Sequence, residues 1–167
     1  PDISKIDVTP TGYSTTVLAA NGEETATLVG QGANRQYVTI DEIPLDLQHA
    51  FVAIEDERFY DHNGIDLHGI GRAFISGLSK GRFSEGASTI TQQLIKNNVL
   101  TSWTSETSFV EKLQRKIQEQ YLALELEKQV NDKDWILENY MNSVNLGANS
   151  LGVQAASTKY FNKDVSE

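Results

Sequence analysis

The sequence predicts a mainly α-helical single domain with a small β-hairpin near its N-terminal end. Two Thr- and Val-rich runs on either side of Asn21-Gly22 predict the hairpin, because both turn residues tolerate positive φ. From Asp41 onward apolar residues recur at helical spacing, and helix-start residues precede the runs. A chain of 167 residues, 39% hydrophobic, is large enough to bury one core, and no repeat, low-complexity tract or linker divides it.

In chain order, Pro1 to Gly12 carries no periodic signal and is expected to be an extended lead-in, so the domain is set at residues 15–167 after a lead-in of 1–14. Tyr13 to Ala20 and Thr25 to Val29 are the expected strands, and Tyr37 to Ile40 is a candidate third, after the Gly/Asn-rich loop Gly30 to Asn34. Pro44 suits the first turn of a helix ending near Glu57, with Leu47, Ala50, Phe51 and Ile54 as its expected buried face. Asp66 can cap a second helix, marked by Leu67, Ile70, Phe74 and Leu78. The segment Ser79 to Gly86, with two glycines and alternating charge, is expected to move. Ser88 is the expected cap of a short helix through Asn97, and Thr101 to Thr107 is a polar loop around Trp103. Ser108 and Glu111 form an S-x-x-E capping box before the longest helix, Phe109 to Gln129. Asn131 and Asp134 open the next, with Ile136, Leu137, Tyr140 and Met141 facing inward. A Gly/Asn-rich turn, Asn145 to Asn149, leads to a last helix from Ser150 to about Tyr160.

Composition excludes several classes of function. A formal net charge of -9 argues against general nucleic-acid binding while leaving room for a local basic patch. The absence of cysteine removes disulfide scaffolds and thiolate metal sites. With no initiator Met, no signal peptide and no apolar run of the ~18 residues a membrane span needs, targeting and anchoring elements are expected outside this chain.

Three stretches carry chemistry. In Ala53 to Gly64 (AIEDERFYDHNG) the adjacent carboxylates Glu55 and Asp56 close an apolar-periodic segment. A carboxylate at such a border is either partly desolvated, which suits it to general acid or base work, or simply a solvated helix end. In Gly86 to Asn97 (GASTITQQLIKN) Ser88, Thr89, Gln92, Gln93 and Lys96 crowd hydroxyls, amides and an ammonium onto the first turns of a helix, whose free N–H groups favour anions. Such a stretch can hold a phosphate or a sugar, or merely solvate a surface. In the long helix Arg115 and Glu119 are four apart beside Lys116, the spacing of an ordinary surface ion pair. Leu113, Ile117 and Leu124 line one side of that helix, and Leu122 and Leu126 flank Glu119 on the other. A helix apolar on several sides is expected to be buried, and a buried Glu119 beside two cations is a candidate functional group.

These motifs, with ILENYMN from Ile136 and LGANSLGVQAASTKYF from Leu146, stand in the order found in one family. The chain resembles the glycosyltransferase domain of class A penicillin-binding proteins and of monofunctional peptidoglycan glycosyltransferases, from about Thr15 to Lys163. The resemblance implies a lysozyme-like fold with a small mobile helical subdomain, set at residues 66–86. It implies polymerisation of lipid II into β-1,4 glycan strands, with inversion and release of undecaprenyl pyrophosphate. Glu55 is then the general base on the acceptor 4-hydroxyl, and Lys96, Arg115 and Lys116 take the charge of the leaving pyrophosphate. The carboxylate matching Glu119 is essential in the family, whether it assists the leaving group, holds the cations or positions a divalent ion. Asp56, Phe59, His62, Ser88, Thr89, Gln92 and Gln93 are implied to shape the donor and acceptor sites.

No cofactor is required by the sequence, and Mg or Mn is compatible with it. The implied partners are lipid II, the growing strand, the membrane surface and a transpeptidase outside this chain. The implied place is the extracytoplasmic face of a bacterial cytoplasmic membrane, with Phe74, Ile75 and Leu78 expected to rest on the bilayer. Two departures stand out: Ala87 replaces the family's usual Gly, and Val144-Asn145-Leu146-Gly147 lacks the aromatic pair of many members. Neither S-x-x-K nor K-T-G occurs, so the transpeptidase signature is absent from this chain. A lysozyme-type hydrolase with Glu55 as general acid is the closer rival, disfavoured by the cations. A non-catalytic wall-binding module and a metal site built on His62 and His68 with Asp56, Asp61 and Asp66 are the others, the last lacking compact ligand spacing.

Overall fold

The fold is taken from a computed structural model, which describes residues 6–28, 35–80, 88–100 and 108–167, without the side chains of 16, 24, 27, 74–80 and 109. Strands β1 (Thr15–Leu18) and β2 (Glu24–Leu28) form an antiparallel hairpin, irregular between Val17 and Leu18. Its turn falls at Asn21-Gly22 as expected, with Gly22 at φ +85°. Helices follow: α1 (Leu45–Glu55), α2 (Leu67–Lys80), α3 (Ile90–Asn98), α4 (Phe109–Val130), α5 (Lys133–Ser143) and α6 (Val153–Phe161). Helix α3 packs on both α4 and α5, and the core gathers around it from Phe59, Ile90, Leu94, Ile95, Leu126 and Tyr140. Val8 is also fully buried, so the lead-in contributes to the core.

The expected third strand does not form. Instead the side-chain amide of Asn142, on α5, accepts from Val38 N–H at 2.9 Å and donates to Val38 C=O at 2.8 Å. A helix side chain thus satisfies the backbone groups that a neighbouring strand would have taken. A single 3₁₀ turn follows at Ile40–Glu42, closed by a Thr39–Glu42 capping box.

The buried face of α1 is rotated from the expected one. Gln48 and Val52 are buried, Leu47 and Phe51 partly so, while Ala50 is exposed and Ile54 is 81% exposed. Gln48 explains the rotation: its amide donates to Ile40 O at 3.0 Å and Ile43 O at 2.8 Å, capping the preceding turn from inside the core. Pro44 stands just before the helix, and Asp56 leaves helical geometry at φ −162°, so the helix stops short of Glu57.

Caps shift by a residue or more in three places. Thr89, not Ser88, caps α3 by accepting from Gln92 N–H. Asn131 ends α4 in the left-handed region, and Asp132 caps α5 through Trp135 N–H. Helix α6 begins at Val153 after Gly152, whose φ of +86° and close approach to Asn142 O leave no room for a Cβ. The Ser108–Glu111 capping box and the inward set Ile136, Leu137, Tyr140 and Met141 agree with expectation. Helix α4 is buried on one side only: Leu122, Ala123 and Leu126 are inside, whereas Leu113, Ile117 and Leu124 are 50%, 59% and 42% exposed. Residues 81–86 and the Thr101 to Thr107 loop lie outside the described residues, as do the side chains of Phe74, Ile75 and Leu78. Among the described residues no helix is long and apolar enough to cross a membrane.

Candidate active site

Glu55 is the last residue of α1 and is exposed, so of the two readings of that border its side chain takes the solvated helix end. The helix ends there, and with Ile54 turned outward the core stripe does not reach its side chain. Its Oε2 accepts from Gln93 Nε2 at 3.0 Å, and Gln93 Oε1 accepts from the Tyr140 hydroxyl at 3.2 Å. Burial, with the negative charge of Glu55 adding to it, pushes the Tyr140 hydroxyl up, so it stays protonated and donates.

The loop after Glu55 is tied down by its own side chains. Asp56 is buried and accepts from Ile90 N–H at 3.0 Å, at the start of α3. Its two oxygens also face His62 Nε2 at 2.9 and 3.0 Å. Gly64 N–H donates to His62 Nδ1 at 3.1 Å, so the proton of a neutral imidazole lies on Nε2, toward Asp56. Phe59 is fully buried and packs edge-on to Tyr60 and His62. Thr89 Oγ1 donates to Gly64 O at 2.7 Å while capping α3. Asp56, Phe59, His62 and Thr89 thus spend their visible contacts on holding this loop.

A second cluster lies on α4. Glu119 is 2% exposed, with Arg115 bonded to Oε1 and Lys116 Nζ 3.1 Å from Oε2. Lys116 also donates to Ser88 Oγ at 2.5 Å and lies 3.4 Å from Gln92 Oε1. Gln92 is buried, and its Nε2 has no hydrogen-bond partner among the described residues. Lys96 is exposed one turn further along α3, without an ion pair among the described residues, so Gln92 and Lys96 do not share one environment. Adjacent residues of α3 therefore reach opposite ways, Gln92 toward Lys116 and Gln93 toward Glu55. A cleft lined by Glu55, Arg58, Asp66, Arg72, Ser88 and Thr89 lies on the Glu55 side, and Ser88, at its edge, accepts from Lys116.

Among the described residues no three His, Asp or Glu side chains are grouped to hold a metal. Both Glu119 oxygens are already engaged by cations, so a divalent ion there would have to displace them. Sequence reasoning missed the ion pair between Arg58 and Asp66 that forms one wall of the cleft. The Arg58 hydrogen bond, aided by Gly69 N–H, holds the Asp66 carboxyl down at about 2. Arg58 stands inside the first motif, but Asp66 reads in the sequence as a helix cap or a member of a metal cluster, not as the partner of Arg58. Tyr140 escapes notice as a site residue because its spacing marks it as core.

A transglycosylase family model matches residues 21–167. Penicillin-binding protein 1A of Clostridium botulinum (strain Langeland) is 49% identical over 140 residues, 80% of this chain and 16% of that protein. Penicillin-binding protein 1F of Bacillus subtilis is 43% identical over 154 residues, 92% of this chain and 20% of the relative. Penicillin-binding protein 1A of Clostridium novyi is 41% identical over 169 residues, 99% of this chain and 19% of the relative. The chain thus spans about a fifth or less of the length of these relatives. With the family model covering residues 21–167, all of the helical domain, and relatives of 41–49% identity over most of the chain, the chain belongs to the transglycosylase family, the peptidoglycan glycosyltransferase domains carried by class A penicillin-binding proteins.

Proposed function

We propose that this domain polymerises lipid II into β-1,4 glycan strands by single displacement, with inversion and release of undecaprenyl pyrophosphate. The observation that carries the reading is the pairing of an accessible carboxylate with a buried carboxylate that clasps two cations, on either side of α3. Glu55 takes the proton from the acceptor 4-hydroxyl as it attacks the donor anomeric carbon, helped by its access to the cleft. Its neighbour Gln93, steadied by Tyr140, keeps the carboxylate oriented. Arg115 and Lys116 meet the charge growing on the pyrophosphate, with Lys96 as a further cation at the end of α3. Glu119 holds that pair in place, and the unpartnered Gln92 Nε2 is ready to donate to a ligand oxygen.

A glycan hydrolase would use Glu55 as general acid, but it has no anionic leaving group to require Arg115 and Lys116. A lipid-bearing substrate fits the outer face of a bacterial cytoplasmic membrane. Ile54 and Leu67, 81% and 76% exposed, support an apolar surface continuing from α1 and the start of α2. A transpeptidase in the rest of the parent protein would cross-link the product. Turnover of lipid II in detergent tests the reading: the native protein makes polymer and lipid pyrophosphate, and Glu55→Gln lowers kcat by about 10²–10⁴-fold. Cleavage of preformed glycan without polymer would transfer the site to the hydrolase reading.

A further inference from the structure

Glu127 is a buried carboxylate for which the proposed mechanism has no use. It lies two turns beyond Glu119 on α4 and is 7% exposed, so its charge must be matched by partners. Lys133, the first residue of α5, supplies the match, 2.7 Å from Glu127 Oε2 and 2.8 Å from Oε1. That placement breaks a local rule, since the positive end of a helix disfavours a cation. Residues that break local rules while being fully satisfied elsewhere are expected where function sets the geometry.

The lysine does more than neutralise Glu127. Its Nζ donates to His62 O at 2.7 Å and stands 4.5 Å from the Phe59 ring centroid. Thr91, on α3, donates to Glu127 Oε1 at 2.6 Å. Gly64 sits directly against the same turns of α4: a Cβ there would come within 3.2 Å of Glu127 Cγ. One ion pair therefore ties α3, α4 and α5 to the loop whose His62 ring is bonded to Asp56, the neighbour of Glu55. Neither Glu127 nor Lys133 lines the cleft that holds Glu55.

We propose that Glu127 and Lys133 are a positioning pair: through the His62 carbonyl they fix the 56–64 loop, and so the aim of the Glu55 carboxylate at the cleft. The inference rests on the glycosyltransferase reading for its catalytic half. Its test uses the full-length protein in detergent. Lys133→Met alone strands a buried carboxylate and can fail to fold, so the decisive variant is Glu127→Gln/Lys133→Met. It removes both charges, while the amide introduced in place of the Glu127 carboxylate keeps an oxygen for Thr91.

The double variant is expected to keep a near-native Tm and a KM for lipid II within about twofold, with kcat lowered by about 10²-fold, the cost of slight misalignment. Backbone amide exchange across 56–64 should rise while that of α5 stays native, and Lys133→Arg should recover much of the kcat. Native kcat with native exchange in the double variant overturns the proposal, as does a lowered kcat with the loop still protected. If the native protein makes no polymer, the glycosyltransferase reading fails by itself, and the exchange data still decide whether the pair anchors the loop.

Discussion

Glu55 is reached from α3 by Gln93, and Glu119 is tied to α3 only through Lys116, beside Gln92 and Ser88; the surroundings of the two glutamates are opposite. Glu55 ends a helix, faces solvent and, among the described residues, accepts from one neutral amide. Glu119 is mid-helix, buried, and clasped by cations three and four residues before it. A base that takes a proton from an incoming hydroxyl must be reachable; a carboxylate that holds two cations ready for an anion must not be solvated away. The difference teaches that burial, which made both carboxylates interesting in the sequence, marks only the one that organises charge. Between them runs the 56–64 loop, pinned to α3 through Asp56 and Thr89 and pressed against α4 at Gly64.

The strongest way to break this arrangement is at that seam. Gly64 has φ +87°, and a Cβ there would meet Ala123 O at 2.7 Å, a backbone atom that cannot step aside. Gly64→Ala should cost about 3 kcal/mol from backbone strain and overpacking together. In a domain of this size that lowers Tm by roughly 6–12 °C, readable by thermal denaturation. A native Tm would mean that the loop and α4 are not in firm contact, and that the two glutamates are positioned independently.

A smaller effect is expected at the buried pole itself. Glu119→Gln removes the carboxylate that Arg115 and Lys116 share. The cost should be about 2 kcal/mol, below the ~3–5 kcal/mol of a fully buried pair, because both cations reach solvent. Glu55→Gln, on an exposed side chain, should change stability by no more than about 0.5 kcal/mol while lowering kcat by about 10²–10⁴-fold. Chemical denaturation of the two variants side by side would erase the contrast if their losses were equal.

What the sequence disclosed follows the same line. Helical periodicity after Asp41 located the helices, because most of them bury a regular apolar stripe, and the S-x-x-E box placed the start of α4. Motif residues come together in the fold: Glu55 and Gln93 meet, as do Arg115, Lys116, Glu119 and Ser88. Orientation was less legible. Gln48 turns α1 by bonding to carbonyls that come together only in the folded chain, and so leaves Ile54 and Glu55 outside. On α4 the residues Leu113 and Ile117 match a core pattern in spacing and chemistry, and their exposure depends on where α3 and α5 lie. Lys133 draws no reading from the sequence, since its partners come from 6 and 71 residues away.

The mildest test concerns the rim of the exposed pole, where Arg58 bridges Asp66 at the start of α2 to Glu57. Asp66 is held at about 2 in the folded protein against an ordinary value of 3.8, chiefly by the Arg58 hydrogen bond. A carboxyl lowered in the folded state adds stability that is complete above the unfolded value and is lost as pH falls from about 3.8 through about 2. Arg58→Met removes most of that contribution at every pH. The variant should therefore be less stable than the native protein by up to about 1 kcal/mol near pH 6, with the gap closing as pH drops toward 2. Parallel denaturant titrations from pH 6 to pH 2.5 measure it. A gap that stays constant across that range would mean that Arg58 serves the rim through the packing of its side chain, with its charge on Asp66 adding nothing.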